Sequence, residues 1–258
     1  MSTIHFYKYQ ATGNDFVIID NRELNLTFTA AQIGTICHPK FGVGADGLML
    51  LERHPTLNFH LEYFNRDGSK SLCGNGCRAA VQFASTLGLV NGKANFTAFD
   101  GPHAAEILSN GNIRLKMADV KETITVDDDY YIHTGSPHYI KFVRDVQNYP
   151  VFEEGKKIRY DDQFKPGGVN VNFVELQPDD TIFVRTYERG VENETLSCGT
   201  GITAAALAAT LKGYNSPITI RTLGGTLSVE FKSRQSGTFQ EIYLIGPAKM
   251  VFKGQLEL

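Results

Sequence analysis

The tetrapeptide Cys-Gly-x-Gly occurs twice, as Cys73-Gly74-Asn75-Gly76 and as Cys198-Gly199-Thr200-Gly201. Each copy opens a run of small helix formers, Arg78-Ala79-Ala80-Val81 in the first and Ala204 to Ala209 in the second. Glycines ahead of such a run remove side-chain bulk and leave the unpaired N–H groups of a helix start open to close approach. An anion, most simply a carboxylate, suits those groups. A cysteine at the same place sits in the positive end of the helix dipole, which favours its thiolate. A free thiol titrates near ~8.5, and a helix start lowers that by one to several units, so a thiolate and a thiol can coexist near neutral pH. Two such sulfurs on opposite sides of an α-carbon can take a proton from one face and return one to the other. The helix N–H groups meanwhile stabilise negative charge building on the carboxylate. In either copy alone, a small buried residue before a packed helix is the competing reading. The repetition favours chemistry.

Residues 73 and 198 stand close to half the chain length of 258 apart, and their flanks repeat as well. Before each cysteine lies an aromatic-ended strand and a polar turn, Tyr63-Phe64-Asn65-Arg66-Asp67-Gly68 and Thr186-Tyr187-Glu188-Arg189-Gly190. After each helix come three β-rich runs: 95–99, 105–108 and 113–116 in the first half, 218–222, 227–231 and 241–245 in the second. Earlier still, Gly13-Asn14-Asp15-Phe16-Val17-Ile18 is echoed by Gly135-Ser136-Pro137-His138-Tyr139-Ile140. Thr29 is placed to cap a short helix over 30–37 that His38-Pro39 stops. The expected fold is therefore α+β, with two pseudo-symmetric domains of one fold. Each is a mostly antiparallel, β-barrel-like sheet wrapped around one main helix, with the active site in the cleft between them. The boundary is expected near 120, giving domains 1–120 and 121–258, with the last strand, about 249–258, able to pack on the first domain.

Composition narrows the function classes. A net charge of −3 with no basic cluster argues against nucleic acid or an anionic membrane as partner. No 18 apolar residues run together, and the opening residues 1–9 lack an apolar signal region. Cys37, Cys73, Cys77 and Cys198 in a chain without an export signal read as reduced thiols in the cytoplasm. Cys73-x-x-x-Cys77 has no second pair to complete a zinc site, and the histidines form no metal spacing, so no metal is expected. Cys37 and Cys77 read as packing residues.

Several motifs taken together resemble the diaminopimelate epimerase family. They are Gly13-Asn14-Asp15-Phe16, Phe64-Asn65-x-Asp67-Gly68-Ser69, Cys73-Gly74-Asn75-Gly76-x-Arg78, Asn170 in Val169-Asn170-Val171-Asn172-Phe173, and Glu188-Arg189-Gly190-x-x-x-Glu194-Thr195-Leu196-x-Cys198-Gly199-Thr200-Gly201. The resemblance runs from residue 4 to Gly246-Pro247-Ala248 and Phe252-x-Gly254. It implies an isomerase that uses no cofactor and interconverts LL- and meso-2,6-diaminopimelate, on the route to lysine and cell wall. It also implies two domains of one fold around a cleft and a homodimer.

By position, the resemblance implies Cys73 and Cys198 as the acid/base pair. It implies Gly74-Asn75 and Gly199-Thr200 as the holders of the reacting carboxylate. Asn14, Asn65, Asn170, Glu188 and Arg189 then read the substrate, and His138 and Glu188 tune the thiols. An arginine beside a glutamate suits the distal end of this substrate, since Arg clamps a carboxylate and Glu accepts from an ammonium. Two positions depart from the family. Ser136 stands where an asparagine is common, with shorter reach to the substrate, and Gly47 stands where some members have a substrate-contacting glutamine. Two readings compete. A racemase of the proline type would share the two cysteines but typically carries His at the place of Asn75. A carboxylate-binding or redox-sensing protein would use the same cleft without turnover. If the sulfurs approach one another, oxidation is expected to join Cys73 to Cys198 and inactivate the enzyme.

Overall fold

The computed structural model describes residues 3–235 and 237–257. Met1 and Ser2, and Leu258 of the expected last strand, lie outside the described residues. The chain divides into two compact units. One comprises residues up to Leu115 with those from Gly246 onward, and the other is Lys116–Ile245. The division falls a few residues before 120.

In the first unit the elements run β1 (Thr3–Ala11), β2 (Asn14–Asp20), α1 (Ala30–Ile36), β3 (Gly47–Glu52), β4 (Phe59–Asn65), α2 (Gly74–Thr86), β5 (Lys93–Ala98), β6 (Gly101–Ile107) and β7 (Ile113–Lys116). Adjacent strands pair in chain order, antiparallel except for β2 with β3 and β4 with β5. Those two pairs are parallel because α1 and α2 carry the chain back over the sheet, and a parallel pair needs such a crossover. The second unit has β8 (Thr123–Val126), β9 (Asp129–His133), β10 (Pro137–Phe142), α3 (Val151–Arg159), β11 (Asn170–Gln177), β12 (Thr181–Glu188), β13 (Asn193–Thr195), α4 (Gly199–Thr210), β14 (Ile218–Thr222), β15 (Gly225–Gln235) and β16 (Thr238–Gly246). It repeats the pattern, with β10–β11 and β12–β14 parallel and the other neighbours antiparallel. The small strand β13 is added beside β12. The sheets are thus mixed, and each unit has a second, outer helix besides its main one. The slot that β8 fills beside β9 is filled beside β1 by β17 (Lys249–Glu257), which pairs antiparallel with it.

Local sequence accounts for these elements. Thr29 caps α1 through a reciprocal box, its hydroxyl accepting from Gln32 N at 3.3 Å while the Gln32 side chain accepts from Thr29 N at 2.9 Å. Phe16-Val17-Ile18-Ile19 in β2 and Leu48-Met49-Leu50-Leu51 in β3 are continuously apolar because both sheet faces are covered. Val17, Ile19, Leu48 and Leu50 pack with Ile33 and Ile36 of α1. On the opposite face, Tyr9 packs against Phe83 of α2. In the second unit Val171, Phe173, Phe183 and Tyr187 join Val151 in the layer beneath α3.

The two main helices are buried nearly all round. In α4 every residue from Gly199 to Ala209 is buried, and the alanines keep it thin enough for strands to approach from several sides. α2 is buried from Gly74 through Val81. No helix among the described residues is long and apolar enough to cross a membrane.

Candidate active site

Each cysteine is the N-cap of its unit's buried helix. Cys73 has φ −128° and ψ 105°, and Cys198 has φ −113° and ψ 111°, the extended backbone a cap requires. Both sulfurs therefore stand where the helix N–H groups are unpaired and the dipole is positive.

In the first unit the Cys73 sulfur accepts from Gly76 N at 3.3 Å and lies 3.5 Å from Asn14 Oδ1. Asn75 Nδ2 donates to the same Asn14 oxygen at 3.3 Å. Asn14 is fixed from behind, since its amide donates to Asp46 Oδ2 at 2.6 Å. Asp46 also accepts from Asp15 N at 3.2 Å, and Lys8 pairs with Asp15 at 2.5 Å. Burial pushes the Asp46 carboxyl above the usual range. Asn14, Cys73 and Asn75 thus form one bonded group. Asn65 spends its amide on Ser69 Oγ at 3.0 Å and Ser71 Oγ at 3.1 Å, shaping the loop that leads to Cys73. Gly47 has no room for a side chain: a Cβ there would come within 2.5 Å of the Tyr63 ring.

In the second unit the Cys198 sulfur lies 3.6 Å from the Thr200 hydroxyl. That hydroxyl is 2.9 Å from His138 Nε2 and 3.1 Å from Ser136 Oγ, and Ser136 is itself 2.9 Å from His138 Nε2. Thr186 donates to Asn172 Oδ1 at 3.0 Å, so the Asn172 amide nitrogen faces His138 Nδ1, also at 3.0 Å. Nδ1 then accepts, which places the proton of a neutral ring on Nε2, directed at the hydroxyls. Asn170 donates to Pro137 O at 2.8 Å and to Ser136 Oγ at 3.4 Å, and its oxygen accepts from Arg189 N at 2.9 Å. Glu188 Oε2 accepts from the Thr195 hydroxyl at 2.8 Å. The guanidinium of Arg189 lies 3.4 Å from Gly167 O and borders a cavity of about 660 Å³, whose walls include His133 and Lys165.

His138 is fully buried. Burial, with the charges of His133 and Arg189 adding to it, lowers its pKa to about 3. It is neutral at physiological pH. An unfolded histidine titrates near ~6.5, so below that pH the unfolded chain binds a proton that the folded one refuses. Stability contributed by this site is therefore complete above about pH 6.5 and is lost as pH falls toward 3, by about 1.4 kcal/mol per pH unit. Thermal melts of wild type and His138→Gln between about pH 6 and pH 4 should show the steeper loss in wild type. Parallel curves would refute this account.

The other thiols are inert by environment. Burial raises Cys37 to about 11 and pushes Cys77 up further still. Among the described residues no cluster of three or more His, Cys, Asp or Glu could hold a metal ion. Sequence reasoning missed Asp46, Asn172, Thr134 and Thr186. Thr134 donates to Thr200 O at 2.8 Å and so ties the helix start to β9. The alternation of Val169-Asn170-Val171-Asn172 was the available signal, since it places two asparagines on the face opposite the apolar layer.

A duplicated mixed-sheet unit, each copy carrying a Cys-Gly-x-Gly helix start on a buried helix, defines the fold class, and the comparisons identify the family. The chain belongs to the diaminopimelate epimerase family, whose model matches residues 6–123 and 130–251. The diaminopimelate epimerase of Flavobacterium psychrophilum is 46% identical over 251 residues, covering 96% of this chain and 98% of the relative. That of Aquifex aeolicus is 40% identical over 276 residues, covering 98% of each. Among solved structures, a Bacillus anthracis phenazine biosynthesis protein of the PhzF family superposes with TM-score 0.77 at 17% identity, over 100% of both chains. A probable proline racemase of Agrobacterium radiobacter, crystallised with carbonate, gives 0.70 at 15% identity over 99% of this chain and 93% of its own. These two share the fold.

Proposed function

We propose that the protein interconverts LL- and meso-2,6-diaminopimelate by direct proton transfer at the α-carbon, without a cofactor, with Cys73 and Cys198 as the two bases. The observation that carries this reading is that each unit presents a cysteine as the cap of a buried Cys-Gly-x-Gly helix. In one direction a thiolate removes the α-proton and becomes a thiol, and the opposite thiol delivers its proton to the other face and becomes a thiolate. In the reverse direction the roles exchange. The N–H groups at Gly74-Asn75 and Gly199-Thr200 hold the reacting carboxylate and stabilise the carbanionic state. His138, being neutral, acts on Cys198 by orienting the Thr200 hydroxyl. Arg189, bordering a cavity that Lys165 also lines, suits the distal carboxylate, and Glu188 the distal ammonium. Asn14, Asn65, Asn170 and Ser136 contribute the remaining polar contacts. The test is incubation of reduced protein with LL-diaminopimelate in D₂O without pyridoxal phosphate. Deuterium should enter at the α-carbon as the meso isomer forms. No exchange under reducing conditions would sink the proposal, and exchange of proline in its place would select the racemase.

A catalytic pair that must stay reduced fits the cytoplasm, and recovery of the native protein from an oxidising compartment would contradict that placement. The reading further includes a homodimer. Its support is Met250-Val251-Phe252 on β17, three consecutive apolar residues that are 46–57% exposed. Light scattering should return twice the chain mass for wild type and a lower mass for Phe252→Glu. A monomeric wild type would remove the dimer.

A further inference from the structure

Arg78 is fully buried in the second turn of α2, and it is the bulkiest of the fully buried side chains. Its Nη2 donates to Asn75 Oδ1 at 2.9 Å and to Thr12 Oγ1 at 3.3 Å. Nε and Nη1 have no protein partner. No ion pair among the described residues includes Arg78, and the groups whose charge acts on it are the thiols of Cys73 and Cys77. Burial lowers its pKa to about 10, so it is cationic at neutral pH. A buried cation without a counter-charge is strongly destabilising, and proteins keep one where an anion meets it.

Of the two thiols, Cys77 cannot serve as that anion, because complete burial keeps it protonated. Other charged groups near this end of the unit are already engaged. Lys8 pairs with Asp15, Asp46 binds Asn14 and Asp15, and Asp100 bonds His103. Cys73 remains, and its sulfur accepts from Gly76 N. Although its thiol form donates to Asn14 Oδ1, that oxygen also accepts from Asn75 Nδ2, leaving the charge of Arg78 to favour the anion. The other half of the duplication is built differently. The position five residues after Cys198 is Thr203, a buried hydroxyl that donates to Gly199 O at 2.9 Å. The Thr200 hydroxyl beside Cys198 and the His138 ring behind that hydroxyl carry no positive charge.

We propose that Arg78 is a positioning residue of the first half-site: its buried guanidinium fixes Asn75 and the Thr12 turn around Cys73 and holds that sulfur as the resting thiolate, leaving Cys198 as the resting thiol. This deepens the two-cysteine reading and rests on it. The duplication is thus symmetric in its backbone and asymmetric in its charge, so the resting enzyme is poised toward one isomer of the substrate.

The test follows alkylation of each cysteine by iodoacetamide across pH in the reduced full-length protein, with peptide mass spectrometry separating Cys73 from Cys198. In wild type the midpoint for Cys73 should lie below that for Cys198. In Arg78→Met the Cys73 midpoint should rise by about one pH unit or more while that of Cys198 stays in place. Arg78→Lys should return the Cys73 midpoint most of the way, yet leave KM raised, because a point charge cannot hold Asn75 and Thr12 together. A wild-type order that is equal or reversed overturns the proposal, as does an unmoved Cys73 midpoint in a folded Arg78→Met. Should Arg78→Met fail to fold, the wild-type order and Arg78→Lys decide. Alkylation needs no substrate, so failure to turn over diaminopimelate would count against the function and leave this result readable.

Discussion

Cys73→Ala and Cys198→Ala should each lower epimerisation by about 10³-fold or more, the scale of losing a positioned acid or base from a proton transfer. Neither variant should unfold. Cys73 loses one cap contact, from Gly76 N, worth about 1 kcal/mol, and Cys198 makes no side-chain cap bond, so its replacement removes only a small buried sulfur. The more searching expectation concerns exchange without inversion. A variant keeping one sulfur can still remove the proton on its own side and return a solvent-derived one to the same face. Each variant should then wash deuterium into one substrate isomer only, and the two variants should choose opposite isomers. Chiral chromatography with mass spectrometry of the recovered substrate reads this directly. Wild-type turnover in either variant, or exchange of the same isomer by both, would end the two-base mechanism. Cys37→Ala, whose thiol burial keeps protonated, is the control and should turn over normally.

The second large effect is expected at a glycine. A Cβ on Gly201 would stand 2.3 Å from Asn172 Oδ1 and 3.2 Å from His138 Cε1 and Nδ1. Its counterpart Gly76 is roomier, with Cys73 Cβ at 3.3 Å and its sulfur at 3.5 Å. Gly201→Ala should therefore cost about 1–3 kcal/mol in urea unfolding, the range for overpacking a tight interior. It should also reduce turnover about 10²-fold, because α4 must shift relative to His138 and carry Thr200 with it. Gly76→Ala should lose markedly less of both. Equal losses would mean that the His138–Asn172 layer does not set the position of the second cysteine.

Much of this could be read before the structure, for reasons that are local. The repeated Cys-Gly-x-Gly, the capped short helix at Thr29 and the strand runs around both cysteines depend on neighbours in sequence. The resemblance to diaminopimelate epimerases agrees with the family match. What stayed hidden depends on contacts between distant segments. Helix α3 reads poorly because Gly155 interrupts Val151–Arg159, yet a Cβ there would lie 2.4 Å from Tyr187 Cβ, so close packing on β12 requires the glycine. Missing α3 concealed the parallel pairing of β10 with β11, and with it the placement of Asn170 and Asn172 beside His138. Arg78 was visible as part of a motif. Its burial was not, because a charged residue in a helix normally faces water.

The pairing of β17 with β1 sets an order for making the protein. The second unit is continuous in sequence, whereas the strand that completes the first follows the whole of the second. At a translation rate of about 5–20 residues per second, β1 waits on the order of tens of seconds for that partner. During this interval the nascent first unit has an unpaired strand flank, the kind of edge that recruits other chains. The half that begins first is completed last, and the burden on chaperones during synthesis falls on the residues that frame Asn14.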